Sequence, residues 1–196
     1  LLVFMLSWQF GSYATMINAS VKIHTGHLQV QAKGYQEDRD IRKVVPAPDA
    51  VGKIFSLMET VAAYTFRAEA FSLVSSEDRT YGVLVTGIDP EKEAAVSTLK
   101  DTIRKGRYLS AEDGNQVLMG TLLAKNLQVG PGDELVVLGQ GRDGSIAATV
   151  LTVKGIFNSG QDEFDRSVVH IPLVAFQEIY AMRGGAHAVV AICTDL

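Results

Sequence analysis

Apolar residues recur along the chain with two different periods, which predict where helices and strands lie. Between Leu6 and Val21 they are spaced three and four residues apart, as in an amphipathic helix. Residues 27–32 alternate instead, with Leu28 and Val30 separated by glutamines, which is typical of a half-buried strand. The sequence therefore predicts an N-terminal helix that leads into the first strand of the core.

A second helix and a pair of strands follow. Residues 34–44 are polar and predict an exposed connection, and the sequence PAPD at 46–49 predicts a helix start capped by Asp49. Residues 61–74 and 81–88 are apolar and β-favouring and predict two antiparallel strands. The apolar face of the helix has four residues at helical spacing: Val51, Ile54, Phe55 and Met58.

Residues 117–155 are the part of the chain richest in structural signals. A short helix is predicted at 121–127, and the turn sequence GPGD at 130–133 ends it. Residues 135–138 and 146–153 are rich in β-branched side chains, so two strands joined by a glycine-rich turn are predicted. Residues 89–102, ahead of this region, are predicted to be mostly helical or irregular.

The C-terminal part returns to an alternation of strand and helix. Residues 158–166 predict a polar loop, residues 168–171 a short strand, and residues 188–194 the final strand. Between the last two strands, Pro172 predicts the start of a helix. The apolar side of this helix has four members: Leu173, Phe176, Ile179 and Tyr180.

The order of these elements predicts an α+β fold. Without residues 93–169 the order is strand, helix, strand, strand, helix, strand, which is the ferredoxin-like split β-α-β arrangement. Residues 26–92 and 170–196 would form this unit, and residues 93–169 would be a β-rich insertion in it. Residues 1–25 would precede it as the amphipathic helix.

Composition bounds the possible functions. The chain has 196 residues, 47% of them hydrophobic, which is enough for a sizeable core. Its net charge is −4, with scattered Lys and Arg, which argues against a nucleic-acid surface. The single cysteine, Cys193, cannot form an internal disulfide and is predicted to be a buried thiol. The apolar block LLVFML at the start is too short to span a bilayer. It predicts either a piece cut from a longer protein or a buried N-terminal helix of a soluble domain.

Candidate chemical motifs are few. Residues 139–144 match G-x-G-x-x-G, but a β-type run follows them where dinucleotide binding requires a helix, so a hairpin turn is predicted. The acidic residues Asp162, Glu163 and Asp165 lack the calcium-loop pattern. No catalytic, cofactor-binding or metal site is therefore predicted. The four histidines are not predicted to form a metal site either, because they are spread along the chain: His24, His27, His170 and His187.

Five segments in order resemble the MacB-like periplasmic core domain, the extracytoplasmic domain of ABC-transporter permeases of the LolC/LolE, MacB and FtsX type. They are GHLQVQAKGY at 26–35, VTGIDPEKE at 85–93, GRYLSAEDGNQVLMGTLLAKNLQVGPGDEL at 106–135, VKGIFNSG at 153–160 and VVHIPLVAFQEIY at 168–180. The resemblance covers nearly the whole chain. It carries over no site residue.

The resemblance implies a domain in the periplasm, attached to a bacterial inner-membrane permease. Such domains have a ferredoxin-like Porter lobe, here 26–92 with 170–196, interrupted by a β-rich Sabre lobe, here 93–169. Residues 1–25 would contain the outer end of the first membrane helix. Implied partners are a cytoplasmic ABC ATPase, a second permease subunit, and a periplasmic carrier or membrane-fusion protein. The expected function is to couple ATP hydrolysis to periplasmic movement, for lipoprotein release or substrate export.

Two other functions remain open on the sequence alone. A free-standing periplasmic binding module would come from a gene without membrane helices, whereas the resemblance predicts four hydrophobic spans in the full gene. An enzyme would have a cleft with strongly perturbed titratable groups. The resemblance predicts that the chain is not an enzyme and needs no cofactor.

Overall fold

The computed structural model describes residues 25–194, together with Met5, Trp8 and Gln9. Apart from Trp8 and Gln9, the helix predicted at residues 6–21 lies outside the described residues. None of the helices in the described part is long and apolar enough to cross a bilayer. The strands are β1 (Leu28–Gln31), β2 (Val61–Ser75), β3 (Thr80–Ile88), β4 (Ile103–Gly106), β5 (Gln116–Gly120), β6 (Glu134–Gln140), β7 (Ile146–Phe157), β8 (Val168–Pro172) and β9 (Ala188–Cys193). The helices are α1 (Tyr35–Asp38), α2 (Pro48–Leu57), α3 (Pro90–Val96), α4 (Thr121–Leu127), α5 (Asp162–Ser167) and α6 (Leu173–Ile179), with a 3-10 turn at Leu99–Thr102.

All nine strands of the described part belong to one mixed sheet. Its order is β1-β9-β2-β3-β8-β5-β7-β4, and β6 pairs with both β2 and β7. The predicted α+β class is therefore confirmed. The first and last strands, β1 and β9, are antiparallel neighbours, with Leu28 opposite Ala191. The strands on either side of the predicted insertion thus share one sheet, as the element order requires.

Six of the strands close into a barrel. Following the pairs, β2 bonds β3, β3 bonds β8, β8 bonds β5, β5 bonds β7, β7 bonds β6, and β6 returns to β2. Strand residues alternate, so every second side chain points inward. The helices α4 and α6 contribute to the same core. The inward side chains include Ala68, Ala70, Val83, Val85, Met119, Leu135, Val137, Leu151 and Ile171.

Strand β2 joins the barrel to the rest of the sheet. Its 15 residues extend over roughly 50 Å at about 3.3 Å per residue. The first half pairs with β9, up to Arg67 opposite Ala188, and the last residues, from Ser72, pair with β6. Its other edge pairs with β3 only from Arg67 onward. A single strand therefore runs through both halves of the molecule.

Helices cover both faces of the sheet outside the barrel. On one face, Phe55 of α2 packs with Phe66, Val189 and Ala191 of the sheet. On the other face, Val96 of α3 packs with Ala188 and Val190. Since β2 and β9 are covered on both sides, their inward and outward residues are both buried, and alternation is weak there.

The segment predicted as an exposed connection is partly buried, so that prediction was wrong. Residues 34–44 contain the short helix α1, in which Tyr35 is only 2% exposed. Val45, directly after the segment, is also buried and donates its N–H to the Ala186 carbonyl at 2.8 Å. Ile41 and Val44 of the segment also pack against the barrel core.

The helix α2 lies where the sequence predicted it, but its buried face is different. Ile54 and Met58 are 58% and 42% exposed, and the residues that are buried are Gly52 and Phe55. A Cβ at Gly52 would lie 2.8 Å from the Tyr64 ring, so glycine is what allows this close packing. The predicted Asp49 cap was also wrong, because the N-cap position is Ala47 and has no side-chain cap.

Besides α1 and β5, two further short elements were not predicted. The strand β4 has the sequence IRKG, which lacks an apolar alternation, and it forms by pairing with the edge of β7. The helix α5 occupies part of the predicted polar loop at 158–166. Both depend on neighbours distant in sequence, which local periodicity does not register.

Candidate functional site

The histidines that the sequence singles out do not come together. His24 lies outside the described residues, and the His27 Nδ1 atom accepts a hydrogen bond from the Cys193 N–H at 3.1 Å. His170 packs edge-on against Phe157, with ring centroids 5.4 Å apart. Within residues 25–194, no group of three or more His, Cys, Asp or Glu side chains could hold a metal ion. The buried histidines of this part therefore serve other contacts, described below for His187.

The other residues considered as candidates from the sequence lie in a hairpin turn, in α5 and in β9. Residues 139–144 form the end of β6 and the predicted hairpin turn, in which the Gly141 N–H donates to the Ser145 carbonyl at 2.8 Å. Asp165 is buried in α5 and accepts hydrogen bonds from the N–H and hydroxyl of Ser159 at 3.0 and 2.6 Å. Cys193 is only partly buried, so the prediction of a buried thiol was wrong in degree.

A buried ion pair joins β2 to α3. The Arg67 Nη2 and Nε atoms donate to the two carboxylate oxygens of Glu93 at 2.6 and 3.1 Å, a bidentate arrangement. The two residues are 3% and 2% exposed. Arg67 is also the residue at which β2 stops pairing with β9 and starts pairing with β3. The ion pair therefore fixes α3 to the point where the barrel meets the rest of the sheet.

The surroundings of the pair keep Glu93 charged. Burial alone would raise the pKa of this carboxyl, but the Arg67 charge and hydrogen bonds from Arg67 and Ser97 hold it below its ordinary value. Burial, together with the nearby Glu93 charge, raises the pKa of the Tyr108 hydroxyl, which donates to the Pro90 carbonyl at 3.3 Å. Tyr108 therefore stays neutral beside the pair.

A second polar contact attaches the α1 segment to the same region. His187, just before β9, accepts a hydrogen bond at Nδ1 from the Glu69 N–H at 2.8 Å, and its Nε2 lies 2.9 Å from the Ile41 carbonyl oxygen. Because a carbonyl can only accept, Nε2 carries the proton. The ring stacks on Tyr35, whose hydroxyl donates to Glu69 at 3.1 Å. Burial lowers the pKa of His187, which is therefore neutral near pH 7.

A third contact closes the barrel against α6. The hydroxyls of Ser72 and Tyr180 are 2.6 Å apart and both residues are buried. Burial raises the pKa of Tyr180 to about 12, although the hydrogen bond to Ser72 opposes this. Gly87 allows the close approach of α6, because a Cβ there would lie 2.5 Å from the Phe176 Cβ. These contacts hold the helix across one end of the barrel.

We call the Arg67–Glu93 pair and the His187 contacts together the junction. Sequence reasoning missed it. Glu93 lies in the stretch 89–102, for which only the secondary structure was predicted, and Arg67 lies inside the predicted strand at 61–74. The available signal was that charge in the run TFRAEAF, because a buried Arg requires a partner. In the junction the Arg67–Glu93 pair and both ring nitrogens of His187 have hydrogen-bonding partners. This arrangement suits a mechanical connection between elements and not proton transfer.

Sequence comparison finds relatives among transmembrane proteins. No protein-family model matches the chain. Over 122 residues it is 30% identical to the lipoprotein-releasing system transmembrane protein LolC of Xylella fastidiosa strain Temecula1, and equally to LolC of strain 9a5c. Each match covers 59% of this chain and 29% of the relative. The chain thus spans less than a third of the length of these relatives.

Solved structures with the same fold come from ABC-type transporters. The periplasmic region of MacB from Actinobacillus actinomycetemcomitans has a TM-score of 0.60 at 12% identity and covers 85% of this chain and 73% of its own. The extracellular domain of the noncanonic ABC-type transporter YknZ from Gram-positive bacteria has a TM-score of 0.59 at 13% identity, covering 85% and 82%. A domain of a putative permease from Porphyromonas gingivalis has 0.50 at 15%, covering 74% and 67%. The predicted resemblance to the MacB-like periplasmic domain is confirmed.

Proposed function

We propose that this chain is the periplasmic domain of a bacterial inner-membrane ABC-transporter permease, and that it passes ATP-driven movement to the periplasm. The observation that carries the proposal is the combination of sequence similarity to LolC with the fold of the MacB and YknZ domains. A cytoplasmic ATPase and a second permease subunit are its proposed partners. Residues 26–92 and 170–196 would be the Porter-like lobe, residues 93–169 the Sabre-like lobe, and residues 1–25 the connection to the first membrane helix.

The junction supports a mechanical role. Strand β2 pairs with β9 of the Porter-like lobe and with β6 of the Sabre-like lobe, and the buried ion pair at Arg67 ties it to α3. A displacement at the β1 and β9 end, where the chain would meet the membrane, would be transmitted to the barrel along β2, because one continuous strand connects the two. Lipoprotein release is favoured over export, because the curated relatives are named as lipoprotein-releasing proteins.

Reconstitution tests this function. The full-length gene product would be placed in liposomes with the ATPase encoded beside it and a labelled lipoprotein, and ATP-dependent transfer to a soluble carrier would be measured. Release of lipoprotein supports the proposal, and ATP-dependent efflux of a small molecule in its place would favour export. A full gene that encodes no hydrophobic spans would refute both.

A variant pair tests the mechanical role. We expect Arg67→Gln to reduce transfer per ATP hydrolysed, because the connection between β2 and α3 is weakened while the membrane part is unchanged. The matched control is Arg104→Gln, since Arg104 is an exposed arginine in β4. Equal coupling in the two variants would contradict the role of the junction.

A further inference from the structure

The outer wall of the barrel carries an apolar surface that the fold itself does not use. On β2, Phe71 and Leu73 are 69% and 48% exposed. Their neighbours on β6 and β7 are also exposed, although the barrel core lies on the opposite face of these strands. We call this surface the barrel face, and its large members are Phe71, Leu73, Val136, Leu138, Ile146 and Val150.

These residues are contiguous and not scattered. Leu73 lies directly opposite Leu138 in the β2–β6 ladder, and Leu138 lies opposite Ala148 of β7. Val136 and Val150 are likewise directly opposite each other. Side chains opposite each other in antiparallel strands have Cβ atoms about 5 Å apart, so these pairs form one patch across three strands. Phe71 and Ile146 extend it, because they lie two residues from Leu73 and Ala148 on the same face of their strands. Single exposed apolar residues are ordinary, but a patch of this kind marks an interaction site.

One end of the barrel face is acidic. A groove of about 810 Å³ at the β2–β3 turn is lined by Val136 and Val150 and also by charged residues. Its carboxylates outnumber its cations four to one, and the one cation, Arg79, donates to the Asn126 carbonyl at 2.7 Å. The acidic residues, all exposed, are Glu77, Asp78, Asp133 and Glu134.

The apolar patch alone is smaller than a stable interface. The six apolar side chains expose on the order of 500 Å², judged from their exposed fractions and the size of such residues. A stable partner buries about 800 Å² on each side. A protein that covers the barrel face must therefore extend over its rim, and the charges there select a basic partner.

We propose that the barrel face docks another protein whose contact surface is an apolar patch with Lys or Arg at one end. The inference rests on the proposed function in one respect, the anchoring of the chain in a membrane. With β2 running along the membrane normal, a second copy in the same membrane, related by an axis along that normal, would set the acidic end of one face against the acidic end of the other. Charge complementarity thus favours a different, basic partner.

Site-specific crosslinking in the full-length protein tests the inference. The full-length protein would be expressed in cells in which it inserts into its own membrane, with a photoreactive phenylalanine derivative in place of Leu138 or Ile146. The control positions are Ile54 and Leu57 of α2, which are exposed apolar residues away from the barrel face. We expect an adduct with one other protein from positions 138 and 146 only, joined at an apolar peptide that contains Lys or Arg.

Charge reversal provides the second readout. Glu77→Lys combined with Glu134→Lys should lower the adduct yield about fivefold, because two attractive exposed contacts become repulsive. Both residues are exposed, so an unchanged thermal unfolding profile would show that the fold is intact. The inference is overturned by the absence of an adduct, by equal adducts at the α2 positions, by insensitivity to charge reversal, or by an adduct with the same chain. Failure of ATP-driven release with the specific adduct retained would count against the proposed function alone.

Discussion

The buried ion pair at the junction allows a quantitative prediction for Glu93→Gln. The substitution keeps the shape of the side chain and removes its charge, so the Arg67 guanidinium stays buried and loses the Glu93 carboxylate. The hydrogen bonds at 2.6 and 3.1 Å lose their charge assistance at the same time. Removing one partner of a buried pair costs about 3–5 kcal/mol. Since Gln can still accept one hydrogen bond, we expect about 3 kcal/mol.

This cost is large beside the stability of a typical domain, which is about 5–15 kcal/mol. Urea unfolding of the 196-residue chain, followed by circular dichroism at pH 7, measures it directly as a lower midpoint with an unchanged slope. The double variant Arg67→Met with Glu93→Leu should recover most of the loss, because no buried charge is left unpaired. The control is Asp38→Asn, which breaks the exposed Lys43–Asp38 pair and should leave the midpoint unchanged.

The pH dependence gives the same pair a second test. The pKa of Glu93 in the folded chain lies below its ordinary value of 4.5, so the unfolded chain takes up the proton first. The stabilisation is therefore complete above pH 4.5 and is lost as pH falls through the folded pKa. The Glu93→Gln variant should lose less stability than the parent chain over this acidic range. Equal midpoints for Glu93→Gln and Asp38→Asn at pH 7 would refute the reasoning.

Three other contacts lead to predictions. The pKa of His187 lies below 6.5 in the folded chain, so the free energy of unfolding should fall as pH is lowered from 6.5, and urea titrations should show a smaller fall in His187→Phe. Gly87→Ala forces a Cβ against α6 and should lower the free energy of unfolding by about 1–3 kcal/mol. A Cβ at Gly82 in the same strand would meet nothing within 4 Å, so Gly82→Ala should cost much less. Similar unfolding midpoints for the two variants would contradict the packing. Tyr180→Phe leaves the buried Ser72 hydroxyl without its partner and should lower stability by about 1 kcal/mol, and adding Ser72→Ala should restore part of it in a double-mutant cycle.

Local patterns predicted the elements whose stability is largely local. The helix at 121–127 was predicted with its observed bounds, and the hairpin of β6 and β7 followed from a glycine-rich turn between β-favouring runs. The antiparallel pairing of β2 with β3 was predicted in the same way. In these cases the turn residues and the side-chain periodicity specify the same structure.

Elements that depend on distant partners were missed. Tyr35 is buried because His187, 152 positions later, stacks on it, and β4 exists because β7 offers an edge. Closure of the barrel depends on the pairing of β3 with β8 and of β2 with β6, which no local pattern encodes. The junction was missed for the same reason, since Arg67 and Glu93 meet only after β3 has turned the chain back. The barrel face was invisible as well, because its apolar residues have the same alternation as core residues.

The closed barrel determines what would happen if residues 93–169 were cut out of the gene. Its wall interleaves strands from outside this segment, β2 and β3, with strands from within it. Excision would uncover the backbone edges of β2 and β3 and turn their inward alanines and valines toward water. Uncovered strands of this kind associate with one another. The shortened polypeptide would therefore aggregate instead of folding into a smaller domain, and the segment, although continuous in sequence, is not a removable module.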